Sequence, residues 1–361
     1  MSRVYDNWER LVAAVIKREQ LRQISLCDSF SSSISSDFSS RFSFDSSFQD
    51  VDAASSSSST QSYDDAQPIL FKDLKKATRN FRFDFHFGEG GFGTVYKGWL
   101  NERTLTAAKP GSGMPVAVKK WKTSIMDSHE WLTERNYLNQ LRHPNLIKLI
   151  AYCSEEDNFL LVYELMKKGS LENHLFQRGN ISLPWATRIK VVKGAARGLS
   201  FLHDLETPVI HRDFKAAKIL LDEEFNAKLC GLGLARDGPT GDMTHVSTRV
   251  LGTHGYMAPE YATTGHLTVK CDVFSFGIVL LELLSGRRAI DIRKEQVLLE
   301  WAAKPYLYDK TKFSQIMDPK LESQYPLDAA YTVGTLALQC INLDPKLRPQ
   351  MSEVVTALDQ L

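Results

Sequence analysis

The run Gly88-Glu89-Gly90-Gly91-Phe92-Gly93 leads directly into Thr94-Val95-Tyr96-Lys97-Gly98. Gly88, Gly90 and Gly93 let a backbone come close to a phosphate with no side chain in the way. The residues after the glycines decide the fold. In a dinucleotide-binding α/β unit such glycines open a helix, and the phosphates sit at its N-terminus. Thr94, Val95 and Tyr96 are strand formers, so here the glycines belong to a hairpin. That speaks against a dinucleotide-dependent oxidoreductase. A second strand, Val116-Ala117-Val118-Lys119, comes after the loop Lys109 to Pro115 and carries a lysine. Glu130 to Leu141 reads as a helix with Trp131, Leu138 and Leu141 inward.

The rest of the chain supplies two unequal lobes. Phe71, Leu74, Thr78 and Phe81 are spaced for one helix face. Phe159 to Tyr163 is an apolar strand, and Glu164-Leu165-Met166 reads as a hinge. Beyond it the pattern turns helical: Trp185, Ile189, Val192, Ala196 and Leu199 recur every three or four residues. Asp272 to Leu284 and Ala329 to Ile341 are further helices. The expected fold is α+β, with a small strand-rich lobe over about 68–164 and a larger helical lobe over about 165–361. Residues 1–67 form a tail. Within it, Asn7 to Arg22 has helical periodicity, with Trp8, Leu11, Val12, Val15 and Ile16 on one face. This is a frayed basic helix or, alternatively, an amphipathic helix for an anionic membrane or a partner. Asp28 to about Ser62 is serine-rich and buries too little apolar surface to order, so a disordered linker is expected, with a phosphorylated docking tail as the alternative.

Composition narrows the partners. The 361 residues carry a net charge of +1, which marks no broad surface for nucleic acid. Five widely spaced cysteines (Cys27, Cys153, Cys230, Cys271, Cys340) have no metal-ligand spacing and suit a reducing, cytoplasmic setting. No signal peptide is expected. The most apolar run, Phe276 to Leu284, is short and contains Glu282, so it reads as a core helix.

Taken in order, the motifs resemble the protein kinases. They are Gly88 to Val95, Val116 to Lys119, His211-Arg212-Asp213, Ala258-Pro259-Glu260, Asp272 and Arg348. A narrower likeness, over about residues 68–361, is to the plant receptor-like cytoplasmic kinases. It is carried by Ala77 to Phe81, Gly88 to Gly98, His143 to Leu146, Lys168 to Leu175 and Gly252 to Tyr261. The resemblance implies a bilobal kinase fold and a role in receptor signalling, often immune, with receptor kinases or other signalling proteins as partners. It implies a cytoplasmic protein, peripheral at the plasma membrane in many members through an N-terminal Met-Gly lipid site. Residue 2 here is Ser, so myristoylation is not expected.

The resemblance also assigns roles. ATP is the implied cofactor. The loop Gly88, Glu89, Gly90, Gly91, Phe92 and Gly93 would cover its phosphates, and Lys119 would hold two of them while pairing with Glu134. Val95, Ala117 and Leu220 would sandwich the adenine, and backbone groups of Glu164 and Met166 would meet its edge, with Tyr163 behind. Asp213 would orient the substrate hydroxyl and accept its proton, and Lys215 would reach the transferred phosphoryl group. Asp272 would hold the loop backbone, and Glu260 would pair with Arg348. Ser247, Thr248 and Thr253 are hydroxyls of the activation loop, with Arg212 as a charge partner.

Two positions depart. Lys218 stands where the family has Asn, and Gly231 where it has Asp. Both are metal-ligand positions, and Mg²⁺ wants oxygen donors. An ammonium offers none and glycine has no side chain. No metal ligand is therefore expected. Losing ~4–7 kcal/mol of charge stabilisation slows transfer ~10³–10⁵-fold. The expectation is a pseudokinase acting as scaffold or decoy, binding ATP weakly and without metal. The alternative is an active Ser/Thr kinase working weakly or unconventionally, with Lys218 as a fixed cation in place of a metal.

Overall fold

The computed structural model describes residues 66–90, 93–121, 125–176, 182–291, 296–299, 306–307 and 309–361. The helix expected over Asn7 to Arg22, the serine-rich segment, Gly91 and Phe92 lie outside the described residues.

Six strands make the first sheet: β1 (Gln67–Pro68), β2 (His86–Gly90), β3 (Gly93–Leu100), β4 (Met114–Trp121), β5 (Leu149–Glu155) and β6 (Asn158–Glu164). They lie in the order β1-β5-β6-β4-β3-β2, antiparallel except for the parallel β1–β5 edge pair. The glycine stretch is a hairpin, with Gly90 facing Gly93. A Cβ on Gly93 would lie 2.2 Å from the Lys120 carbonyl oxygen, so only glycine lets β3 run this close to β4.

The period of two in β4 sorts its side chains. Val116 and Val118 are fully buried and join Ile69, Leu74, Leu100, Leu160 and Val162 in one core. Each such side chain contributes about 1.5–3 kcal/mol on burial. Ala117 and Lys119 therefore face the opposite side of the sheet, towards the site.

Helix α1 (Phe71–Ala77) ends earlier than the spacing of Thr78 and Phe81 predicts. Arg79, Asn80 and Phe81 all have positive φ, and Thr78 Oγ1 donates to the Leu74 carbonyl while accepting from Phe81 N–H. Phe81 still reaches the same face, because this turn folds it back to stack on Phe71 at 5.8 Å. Helix α2 (Ile125–Gln140) buries Trp131 and Leu138. The Trp131 indole N–H donates to the Leu160 carbonyl at 3.1 Å, fixing α2 to β6. Leu141 lies beyond the last turn and is half-buried rather than inward.

The second lobe is helical. Short strands β7 (Gly169–Ser170), β9 (Ile219–Leu221) and β10 (Ala227–Leu229) pair in the order β10-β9-β7, while β8 (Val209–Ile210) pairs with β11 (Arg236–Asp237). The helices are α3 (Leu171–Phe176), α4 (Trp185–His203), α5 (Pro259–Thr264), α6 (Val269–Ser285), α7 (Leu327–Cys340) and α8 (Met351–Asp359). Trp185, Ile189, Val192, Ala196 and Leu199 are all buried in α4, as their spacing predicts. In α6 every residue from Cys271 to Ser285 is buried, Glu282 included. The Thr268 side chain caps its start by accepting from Lys270 N–H, and Gly286 ends it in the left-handed region. Among the described residues, no helix is long and apolar enough to cross a membrane.

Candidate functional site

The first group of site residues comes from the sheet and α2. Lys119 Nζ lies 3.0 Å from Glu134 Oε2, and the Tyr163 hydroxyl donates to Glu134 Oε1 at 2.9 Å. All three side chains are largely buried, so each polar end needs its partner. Burial pushes the Glu134 carboxyl up, but Lys119, Lys218 and the Tyr163 hydroxyl outweigh it and hold the group below the usual range. Lys119 Nζ also sits 3.7 Å from the centre of the Trp121 ring.

The same sheet places the residues expected around a nucleotide. Val95 faces Lys119 across β3–β4, and Ala117 faces Tyr163 across β4–β6. Gly88 and Gly90 stand in β2, with nothing within 4 Å of where a Cβ on Gly88 would be. Glu89 is exposed, and its carboxylate is 4.0 Å from His86. Met166 is buried just after β6. The Glu164 side chain turns away and accepts from Lys228 at 2.7 Å and from Lys148 N–H at 2.8 Å. Leu220 is half-buried in the middle of β9.

The second group sits on the loop His211 to Lys218. Asp272, buried at the start of α6, accepts from the backbone N–H groups of His211 (2.7 Å) and Arg212 (2.9 Å) and contacts His203 Nε2 at 2.9 Å. These bonds hold Arg212 at a φ of 68°. Its guanidinium donates to the Tyr261 hydroxyl at 2.9 Å and to Thr248 Oγ1 at 3.1 Å. The loop is thus set from behind by α6 and tied in front to the activation segment. His211 contacts the Cys230 carbonyl through Nε2 at 3.1 Å, and Leu232 is fully buried.

Asp213 is the centre of this group. Lys215 Nζ lies 3.3 Å from its Oδ2 and Lys218 Nζ 3.5 Å from the same oxygen, while the Thr253 hydroxyl donates to Oδ1. Lys215 also donates to Thr253 Oγ1 at 2.6 Å. Burial pushes the Asp213 carboxyl up, yet Lys218, Lys215 and the Thr253 bond pull it below its usual value. Burial likewise pulls the Lys218 ammonium down, but Asp213, Cys230 and Glu134 more than compensate, so it stays charged above the ordinary lysine value.

Gly231 explains how Lys218 fits. It has φ 79° and ψ 49°, and a Cβ there would lie 2.5 Å from Lys218 Nζ and 2.9 Å from its Cδ. The lysine side chain therefore fills the space in which a side chain at 231 would begin. The donor set at this place is the Asp213 carboxylate, already shared by the Lys215 and Lys218 ammonium groups, and the Glu134 carboxylate, already paired with Lys119. A hard divalent cation does not suit it. Among the described residues, no group of three or more His, Cys, Asp or Glu could hold a metal ion.

The structure thus brings Lys119 and Glu134 together, and Asp213 with Lys215. Gly91 and Phe92 lie outside the described residues. Three contacts are not foreseeable from spacing. They are the Tyr163–Glu134 bond, the Thr253–Asp213 bond across 40 positions, and the seating of Lys218 over Gly231. Each joins segments far apart in sequence, and no local pattern encodes it.

Comparisons with known proteins agree with this geometry. The protein tyrosine and serine/threonine kinase family matches residues 81–358. The chain is similar to the probable serine/threonine-protein kinase PBL3 of Arabidopsis thaliana, 65% identical over 297 residues, covering 81% of this chain and 70% of that protein. It is similar to the probable serine/threonine-protein kinase PBL2 of the same plant, 58% identical over 321 residues, covering 88% and 75%. Serine/threonine-protein kinase BIK1, also from Arabidopsis thaliana, is 56% identical over 299 residues, covering 81% and 75%. With a Lys119–Glu134 pair joining β4 to α2, an Asp272-held loop at His211 and Arg212, and a family match over most of its length, the chain belongs to the protein tyrosine and serine/threonine kinase family.

Proposed function

We propose that this protein is a receptor-like cytoplasmic kinase homologue whose metal-assisted phosphoryl transfer is lost, and which signals as a scaffold or decoy for receptor kinases, in immune signalling. One observation carries the reading. The Lys218 ammonium sits 3.5 Å from the Asp213 carboxylate and fills the space beside Gly231, at the two positions where the family keeps metal ligands. In this reading Gly88, Gly90, Gly93 and Lys119 hold the phosphates of ATP, with Glu89, Gly91 and Phe92 completing the loop. Val95, Ala117 and Leu220 line the adenine, Glu164 and Met166 meet its edge, and Glu134 orients Lys119. Bound divalent metal supplies charge neutralisation in phosphoryl transfer. In this reading Asp213 and Lys215 would meet a substrate hydroxyl and a phosphoryl group, but Asp213 is drawn into ion pairs with Lys215 and Lys218. The protein acts in the cytoplasm or peripherally at the plasma membrane.

A second reading, a slow Ser/Thr kinase, is favoured by the intact Lys119–Glu134 pair and by the Asp213–Lys215–Thr253 contacts. The relatives' names point the same way. Transfer of labelled γ-phosphate to a generic protein substrate separates the two. The proposal expects label at the level of Asp213→Ala. Label well above that level and lost in Asp213→Ala supports the kinase reading instead.

A further inference from the structure

The site has lost metal ligands, but it has gained positive charge. Among the described residues, Lys119, Lys215 and Lys218 form ion pairs with Asp213 and Glu134, three cations to two carboxylates. With Asn at 218 and Asp at 231, the same cluster would hold two cations against three carboxylates. Such a site is net negative and needs a divalent ion before it can take a polyphosphate. The cluster present here is already net positive.

Position matters as much as count. Lys218 Nζ stands between Asp213 Oδ2, 3.5 Å away, and the Cβ direction of Gly231, 2.5 Å away. It lies on the side of Asp213 that Lys215 shares, and it interacts electrostatically with both Lys119 and Glu134. The ammonium is thus seated among the phosphate-facing groups, and its side chain is only 17% exposed. An ammonium is a compact point charge suited to phosphate oxygens. It is attracted most to the triphosphate that carries the most negative charge, which is the form without its chelated metal.

We propose that this site binds its nucleotide as the metal-free triphosphate, with the Lys218 ammonium against the phosphates, and that magnesium weakens binding instead of supporting it. The proposal rests on the reading that metal-assisted transfer is lost. It extends that reading by naming the form of the ligand. Magnesium acts in two ways here: it converts the free triphosphate to a chelate of lower charge, and it brings a cation towards Lys218.

The test is calorimetric titration of ATP into the full chain, in EDTA and in excess MgCl₂, with adenosine as a control that lacks phosphate. The expected result is about tenfold tighter ATP binding in EDTA, a difference of about 1.4 kcal/mol. Lys218→Asn and Lys218→Met should abolish that preference, and Lys218→Asn with Gly231→Asp should reverse it. Adenosine binding should not respond to metal or to these variants. Tighter ATP binding with magnesium in the unaltered protein overturns the proposal, as does no ATP binding in either buffer. A preference for EDTA that persists in folded Lys218→Asn and Lys218→Met also overturns it. Absence of ATP binding would leave the loss of transfer standing. Magnesium-dependent binding together with Asp213-dependent label transfer would defeat both.

Discussion

At position 231 the backbone is left-handed and bare, and the Lys218 side chain lies in the room this leaves. The two departures from the family pattern are therefore one physical unit. Restoring Asp at 231 alone would place a carboxylate against the Lys218 ammonium, which yields because it is the far end of a flexible side chain. The new carboxylate would pair with that ammonium and not with a metal. Gly231→Asp by itself should give no gain in metal-dependent transfer over the unaltered protein, measured with labelled ATP; a gain would mean the two positions act independently. The charges also set a pH response. Asp213 and Glu134 are both held below their usual values, so the stability they contribute is fully present above about pH 5 and is lost as pH falls through their folded-state values. Melting temperature followed from about pH 7 to about pH 2.5 should show this loss only at the acid end. Lys218→Asn should move the loss to higher pH, because Lys218 is the foremost charge pulling the Asp213 carboxyl down. An unchanged acid limb would show that the pair contributes nothing.

At the scale of elements, the glycine hairpin and α2 would carry the nucleotide half of the proposed site. Strand-forming Thr94-Val95-Tyr96 made the hairpin legible, and Val116 to Lys119 was legible as a strand, while which way the lysine points came from the burial of Val116 and Val118. The helix around Trp131 and Leu138 was equally readable, since burial at three- and four-residue spacing leaves a pattern. What the pattern could not give was the end of α1. Phe81 keeps the helical spacing but reaches its face through a turn of left-handed residues fixed by Thr78. Nor could it give Tyr163 as the donor to Glu134, which depends on how far β6 lies from α2. The close approach of β3 to β4 yields a prediction here. Gly93→Ala sets a Cβ 2.2 Å from the Lys120 carbonyl, a backbone atom that cannot swing aside. It should cost about 1–3 kcal/mol, as overpacking does, and lower the melting temperature. An unchanged melting temperature would mean that the hairpin can lift away from β4 without penalty.

Across the whole molecule, the fold is secured by contacts remote from the altered positions. Arg348 donates to both oxygens of Glu260, at 2.6 and 2.7 Å, and its head is fully buried. Removing one partner from a fully buried pair costs about 3–5 kcal/mol, and Glu260 is partly exposed, so Arg348→Ala should destabilise the second lobe in urea unfolding by less than that. Stability near that of the unaltered protein would show the pair to be dispensable. This pair and the Asp272 contacts were expected because the resemblance to the protein kinases implies both. The seating of Lys218 was not, because a substitution in sequence shows what is missing and not what moves in to fill the space. The most direct measurement is labelled-phosphate transfer, with and without Mg²⁺, by the unaltered protein beside Lys218→Asn combined with Gly231→Asp. The account predicts no Asp213-dependent transfer in the first and metal-dependent transfer at least ~10³-fold higher in the second. Equal metal-dependent transfer by both proteins would contradict it.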